Sequence, residues 1–207
     1  MASSSSWHNV LSSSTCVLFA GADLATLPPD VRLTAAWQAL VFGDGSPTRT
    51  LSLALRAPLH VDVLGMDELA ASDGDDGVPI AGALSALDSA RVRRRVWLCT
   101  PGGVRVGYAV SWWRASDAAE LLAKVDVPIG ASLRAARAEQ RRELLLVARA
   151  DGHAELDAVL GNVSAETGRR APLWARWYEI VNGGRTLCVV YEVFGASLET
   201  LLGPCET

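Results

Sequence analysis

Two charged residues, Glu192 and Arg94, stand in apolar stretches where a buried charge would be costly. In the run CVVYEVF, alternation along a strand places Glu192 on the same side as Val190 and Phe194. Burying a carboxylate among apolar side chains costs roughly several kcal/mol of folding free energy, unless a cation or a hydrogen-bond donor contacts it. Glu192 is therefore predicted to have a buried partner, unless this end of the strand is exposed or lies at a sheet edge.

Arg94 is the second candidate because of its position in the run RVRRRVWLC. Of the four arginines in this run, it alone shares a face with the three aliphatic residues Val92, Val96 and Leu98. Trp97 on the opposite face weakens the contrast, but three aliphatic residues in register favour the first face as the core side. Arg94 is thus predicted to be a buried guanidinium.

An arginine and a glutamate on the core faces of two strands could act together on an anionic ligand. The guanidinium group of Arg94 would bind a carboxylate through two parallel hydrogen bonds. Across a cavity from it, Glu192 would accept a hydrogen bond from a hydroxyl group or move a proton. The structural alternative is a buried salt bridge between the two side chains inside the sheet core.

Two predicted β-hairpins position these residues. The first covers residues 91–110 and turns at the Pro-Gly-Gly of 101–103. The second covers residues 172–197 and turns at the Asn-Gly-Gly of 182–184, where glycine and asparagine tolerate the positive φ of tight hairpin turns.

The other segments are assigned from shorter patterns. Residues 16–42 are predicted to be loop and helix, and residues 48–55 strand or helix. Strands are predicted at 59–64 and at 141–149, the latter with a helix as the alternative, and a flexible acidic loop at 73–77. Helices are predicted at 31–41, at 118–125 with Asp117 as the N-cap, from 128 onward, and at 153–160, where Gly161 ends the helix.

The length of 207 residues is enough for one domain with a substantial core. Residues 1–15 are rich in serine and contain no Asp, Glu, Lys or Arg, so we expect a disordered tail followed by a single domain at 16–207. The longest apolar runs are far below the roughly 20 residues that cross a bilayer. We expect a soluble cytoplasmic protein without a membrane span, with the plastid stroma as the alternative location.

Charge and motif content argue against several classes of function. The formal net charge of −4 argues against a general nucleic-acid-binding surface. The four cysteines form no CxxC pair and the three histidines are scattered, so we expect neither a metal site nor a disulfide framework. The P-loop, GxGxxG, GxSxG and HExxH motifs are absent, which argues against nucleotide hydrolysis and serine hydrolysis.

Five separated segments, taken in order, resemble the chorismate pyruvate-lyase family over about residues 44–197. No single segment is specific, so the resemblance depends on the ordered set. It implies an α+β fold in which a central antiparallel β-sheet, flanking helices and two lid segments enclose a ligand cavity. The segments are DGSPTR at 44–49, RRVWLC at 94–99, PIG at 128–130, LWAR at 173–176 and YEVF at 191–194.

The resemblance also implies an activity and a set of site residues. Members of this family eliminate pyruvate from chorismate to give 4-hydroxybenzoate, without a cofactor. The family's carboxylate-binding arginine falls on Arg94, and its essential acid, which would engage the C4 oxygen substituent as a proton donor, falls on Glu192. A backbone contact to the ligand falls on Ile129 and a lid contact on Pro47. An arginine that bacterial members place in the strand after the first hairpin is Ala109 here.

Two other functions stay open on the sequence alone. Effector domains of some bacterial helix-turn-helix regulators share this fold, which makes an aromatic-carboxylate sensor one alternative. Residues 1–43 hold only Arg32 as a permanently basic side chain, which argues against a DNA-binding module. The other alternative is an accessory subunit of a larger complex, with Trp112 and Trp113 as an exposed patch for a protein partner. Whether the product would serve quinone biosynthesis is also left open.

Overall fold

The architecture is α+β, as the sequence predicts, and its core is one antiparallel β-sheet of seven strands among the described residues. It is seen in a computed structural model that describes residues 15–20, 32–70, 81–87, 90–122, 124–138, 140–150, 152–163, 168 and 170–205. The strands are β1 (Thr15–Ala20), β2 (His60–Leu69), β3 (Arg91–Cys99), β4 (Arg105–Arg114), β5 (Arg141–Ala150), β6 (Leu173–Asn182) and β7 (Arg185–Phe194). Across the sheet their order is β1-β5-β6-β7-β4-β3-β2.

Short helices pack on both faces of this sheet. They are α1 (Ala35–Val41), α2 (Pro47–Leu55), α3 (Ala81–Ser85), α4 (Ala115–Leu121), α5 (Ile129–Ala135), α6 (Ala154–Leu160) and α7 (Glu199–Leu202), with a 3-10 turn at Ala196–Leu198. No helix in the described part of the chain has the length and apolar character to cross a membrane.

The two faces of the sheet bury different kinds of side chain. One face carries an aromatic layer that includes Trp97, Trp177 and Tyr191 and packs against apolar residues of α3 and α6. The stacked rings of Trp177 and Tyr191 lie 4.5 Å apart between centroids. The other face packs against α1, α2, α4 and α5, and it is the face that carries Arg94 and Glu192.

Both predicted hairpins are confirmed. β3 pairs with β4, and β6 pairs with β7, each pair antiparallel. In the second hairpin Asn182 lies opposite Arg185, so the loop consists of Gly183 and Gly184, whose φ values are 56° and 78°. These positive values explain why glycine occupies both positions, since a side chain is strained in that conformation.

Several local predictions need correction. Residues 15–20 form β1, which pairs with β5, where the sequence predicts loop. Helix α4 begins at Ala115, so Asp117 lies in its first turn and is not the N-cap; its carboxylate accepts hydrogen bonds of 3.0 Å from each of two nitrogens of Arg185 instead. The ambiguous segment 48–55 belongs to helix α2, in which Pro47 occupies the first turn, a favoured place for proline. The loop predicted at 73–77 and residues 1–14 of the predicted tail lie outside the described residues.

Trp112 and Trp113 do not form the predicted exposed patch. Adjacent residues of β4 point to opposite faces of the sheet, and both faces are covered, so each side chain has 0% exposure. Trp112 joins the aromatic layer, whereas Trp113 packs with apolar residues of α4 and α5. The prediction of a protein partner bound through this pair is therefore wrong.

Candidate active site

A cavity lies between the sheet face that carries Arg94 and Glu192 and the first turns of α2 and α5. It is narrow, with a cavity volume of about 30 Å³. Strands β2 to β7 form its floor, and residues 46–48 and 128–130 form its roof. The lining residues are Ser46, Pro47, Thr48, Val61, Arg94, Val96, Leu98, Ala109, Ser111, Pro128, Ile129, Gly130, Arg142, Tyr178, Val190 and Glu192.

The register of the strands explains why residues far apart in the sequence meet at this floor. Residues directly opposite each other on antiparallel strands share a face. One row across the sheet contains Arg94, Ser111, Val190 and Tyr178, and the neighbouring row contains Val96, Ala109, Glu192 and Arg176. Arg94 and Glu192 are thus two strands and one row apart, about 12 Å between Cα atoms, too far for a direct ion pair between the side chains as they are placed.

Arg94 is buried, with 2% exposure, as the sequence predicts. Its Nε and Nη2 donate to the carbonyl oxygen of Val125 at 3.1 and 2.6 Å, and Nη2 also donates to that of Val127 at 3.0 Å. These bonds fix the guanidinium plane and leave Nη1 without a protein partner among the described residues. Burial lowers the pKa of Arg94 to about 10, with the carboxylate of Asp126 opposing the shift. The group therefore stays cationic at neutral pH.

Glu192 is also buried, with 4% exposure, and it has a partner. The partner is not Arg94: Arg176 Nε donates to Glu192 Oε2 at 2.8 Å. The hydroxyl group of Tyr178 donates to Oε1 at 3.1 Å. The alternative of an Arg94–Glu192 salt bridge is therefore not what the structure contains. Both carboxylate oxygens accept hydrogen bonds, so Glu192 is arranged as an acceptor.

Arg176 is a site residue that the sequence analysis missed. Its side chain is 1% exposed, and its Nη1 donates to the carbonyl oxygens of Leu40 and Gly43 at 2.6 and 2.9 Å. Arg176 therefore connects Glu192 to the end of α1 and to the segment that follows it. A signal for it existed, because alternation along β6 puts Arg176 on the same face as Trp174 and Tyr178.

The ring of Tyr178 lies between two guanidinium groups. The Cζ atom of Arg176 is 4.8 Å from the ring centroid and that of Arg142 is 5.9 Å from it, both within cation–π range. Burial, followed by the neighbouring carboxylate of Glu192, raises the pKa of Tyr178. The phenol is therefore protonated at neutral pH and available as a donor to Glu192.

The two roof segments contain the predicted contact residues Pro47 and Ile129. Pro47 is in the first turn of α2, and Ile129 begins α5. The segments meet closely at Gly130, where an added Cβ would lie 3.2 Å from Ser46 Oγ. All four site residues named from the sequence thus line one cavity.

The arginines that line the cavity differ from those that the sequence predicts, as Ala109 and Arg142 show. Ala109 lies directly opposite Glu192 and presents only a methyl group to the cavity. Arg142, on β5, lines the cavity and was not among the predicted site residues. Within the described ranges, no group of three or more His, Cys, Asp or Glu side chains could hold a metal ion.

Comparison with solved structures reveals the same fold in other proteins. The ligand-binding domain of a protein assigned to the GntR family of transcriptional regulators, from Bordetella bronchiseptica, is 14% identical and has a TM-score of 0.50, covering 68% of this chain and 86% of that one. The gene product SA0254 from Staphylococcus aureus is 10% identical, also with a TM-score of 0.50, covering 74% and 90%. At such identities the likeness shows the fold alone.

Comparison of sequences identifies a relative and a family. The uncharacterized protein ycf21 of Porphyra purpurea is 22% identical over 167 residues, which cover 79% of this chain and 82% of the relative. The sequence model of the family described as chorismate pyruvate-lyase Rv2949c-like matches residues 41–202, which include both predicted hairpins and both roof segments. Because this match spans well over half of its length, the chain belongs to the chorismate pyruvate-lyase Rv2949c-like family.

Proposed function

We propose that the protein is a lyase that splits chorismate into 4-hydroxybenzoate and pyruvate without a cofactor. The observation that supports it most is the burial of Arg94 and Glu192 in one cavity. These are the positions that the family resemblance assigns to the carboxylate-binding arginine and the essential acid. Membership of the chorismate pyruvate-lyase Rv2949c-like family supports the same substrate.

The proposed reaction balances without a co-reactant. The bond between ring carbon C3 and the ether oxygen breaks, the π electrons of the methylene double bond form a new C–H bond, and the electron pair of the broken C–O bond stays on the oxygen. Here it forms the keto group of pyruvate. The hydrogen on C4 moves as a proton to the methylene carbon of the leaving group, and the electrons of the C4–H bond complete the aromatic ring of 4-hydroxybenzoate. Water, oxidant and reductant are all unnecessary.

The residues of the cavity would act by positioning and by electrostatics. Arg94 would orient the ring carboxylate through Nη1, the group that its carbonyl bonds leave free. Glu192 would accept a hydrogen bond from the C4 hydroxyl group and so hold C4 near the methylene carbon. The hydrogen bond from Arg176 fixes the position of Glu192, and exclusion of water by Pro47 and Ile129 would strengthen these contacts.

The direct test is incubation of the purified protein with chorismate, with 4-hydroxybenzoate and pyruvate followed together. We expect equal amounts of both products. Glu192→Gln should lower turnover by about 10-fold or more while the protein stays folded, because a neutral amide oxygen is a weaker acceptor for the C4 hydroxyl group than a carboxylate. Arg94→Ala should remove the thermal stabilisation produced by 4-hydroxybenzoate. Glu143→Gln and Arg105→Ala are matched controls, because both side chains are about 42% exposed.

Each outcome discriminates between functions. Unchanged turnover in Glu192→Gln would refute the role of this carboxylate. Stabilisation by 4-hydroxybenzoate without any product would favour a ligand-binding protein over a lyase. If neither product nor stabilisation is found, the cavity does not serve this substrate at all.

A further inference from the structure

Arg142 carries a charge that the described part of the protein does not neutralise. It is half-buried near the start of β5 and lines the cavity. Its Nη2 donates to Gln140 Oε1, a neutral acceptor, at 3.1 Å. Its Nε is buried and has no hydrogen-bond partner among the residues that the structure describes. No carboxylate among the described residues forms an ion pair with it, so the guanidinium is available to an anion from outside.

The location of Arg142 places it across the cavity from Arg94. β5 and β3 are four strands apart, which separates their backbones by about 19 Å. The head of Arg142 reaches from β5 toward the middle of the sheet, because its Cζ lies 5.9 Å from the ring centroid of Tyr178 on β6. On the roof side, Nη2 would be 3.5 Å from a Cβ added at Gly130. Two guanidinium groups therefore face the same cavity from opposite sides.

Positive charges outnumber negative charges at the site. Arg94, Arg142 and Arg176 contribute three positive charges at or directly behind the wall, whereas Glu192 contributes one negative charge and Asp126, a carboxylate near Arg94, contributes another. The ion pair with Arg176 takes up the charge of Glu192, which leaves two guanidinium groups for a ligand. Because a partly desolvated charge is costly without a partner, the arrangement favours a ligand with two anionic groups.

We propose that Arg142 binds the second carboxylate of the substrate, so that the cavity selects dianions over monoanions. The inference rests on the proposed function and assigns it a specificity residue. Chorismate has one carboxylate on the ring and one on the three-carbon unit that leaves. Arg94 holds the ring carboxylate and Arg142 holds the other, which positions the scissile ether bond between them, above the row of Glu192.

The test uses two unreactive ligands that differ in a single charge. The compounds 3-(carboxymethoxy)benzoate and 3-methoxybenzoate share the ring, its carboxylate and the ether oxygen, and only the first has a second carboxylate. By calorimetry, the wild-type protein should bind the dianion about 10- to 100-fold more tightly. Arg142→Gln should abolish this preference and change the Kd of 3-methoxybenzoate by less than about threefold. Arg142→Lys should keep part of the preference, and Arg141→Gln, at a side chain 68% exposed, should keep all of it.

Three results would overturn the inference. The first is a wild-type protein that binds both ligands equally or binds neither. The second is an unchanged preference in Arg142→Gln. The third is equal weakening of both ligands in that variant, which would make Arg142 a structural support for Tyr178. Since neither ligand is turned over, a dianion preference that depends on Arg142 in a protein inactive on chorismate would reject the lyase and retain the second anion site.

Discussion

Arg176→Met is expected to destabilise the protein by about 3–5 kcal/mol, the usual cost of removing one partner of a buried ion pair. Arg176 and Glu192 are 1% and 5% exposed at their side chains, and the two atoms Nε and Oε2 are 2.8 Å apart. Methionine would fill much of the volume without supplying a cation. The carboxylate would then keep only the hydroxyl group of Tyr178 as a donor in the described structure.

The magnitude should lie toward the upper part of this range because carbonyl groups lose their donor as well. Arg176 donates to Leu40 and Gly43, and a buried acceptor left without a partner costs about 1–3 kcal/mol. For a chain of this length each kcal/mol changes Tm by about 2–4 °C. The expected fall in Tm is therefore about 6–20 °C.

The assay is urea unfolding followed by tryptophan fluorescence, in a double-mutant cycle. Glu192→Gln alone should cost less than Arg176→Met, since its amide oxygen can still accept from Arg176. The double variant should cost at least about 1 kcal/mol less than the sum of the single variants, because the two residues interact directly. Arg105→Met is the control, since the Arg105–Asp62 ion pair is solvent-exposed and long at 3.6 Å. A loss below about 1 kcal/mol in Arg176→Met, or strict additivity, would refute the assigned role of the pair.

Two further predictions concern ionisation at high pH. The pKa of Arg94 is lowered to about 10, so the affinity for benzoate should be constant from about pH 7 to 9 and should fall as pH rises through 10. Calorimetry would measure this affinity. A constant affinity up to about pH 11 would contradict binding by Arg94. The chain has three tyrosines, Tyr108, Tyr178 and Tyr191, and burial raises the pKa of each above the ordinary value of 10.0. The unfolded chain then releases these protons first, so stability should decrease above about pH 10. Ultraviolet absorbance should show tyrosinate only together with unfolding, and a tyrosinate step in folded protein near pH 10 would contradict the burial.

The features that local pattern determines were predictable from the sequence. The two hairpins follow from glycine-rich turns between alternating runs, and both are confirmed. Alternation with period two also assigned Arg94 and Glu192 to buried faces without any knowledge of their neighbours. These predictions succeed because the direction of a side chain in a strand depends only on its own position along that strand.

The features that depend on pairing between distant segments were not predictable. The partner of Glu192 is Arg176, which lies opposite it only because β6 and β7 pair in this particular register. The burial of both Trp112 and Trp113 requires helices on both faces of the sheet, which no pattern within β4 reveals. Strand β1 depends likewise on pairing with β5, more than 100 residues away in the chain. Register and coverage are tertiary properties, so they appear only when the chain folds.

The small residue at position 109 gains a physical explanation from the neighbours of Glu192. Across the sheet this carboxylate has Ala109 on one side and Arg176 on the other. Directly opposite residues have Cβ atoms about 4.5–5.5 Å apart, so an arginine at 109 would compete with Arg176 for the same carboxylate. With alanine there, one side of Glu192 faces the cavity and can meet a ligand hydroxyl group, while Arg176 fixes the other side. The cationic contact that position 109 lacks is available instead from Arg142, at the far wall, where it can bind a carboxylate without disturbing Glu192.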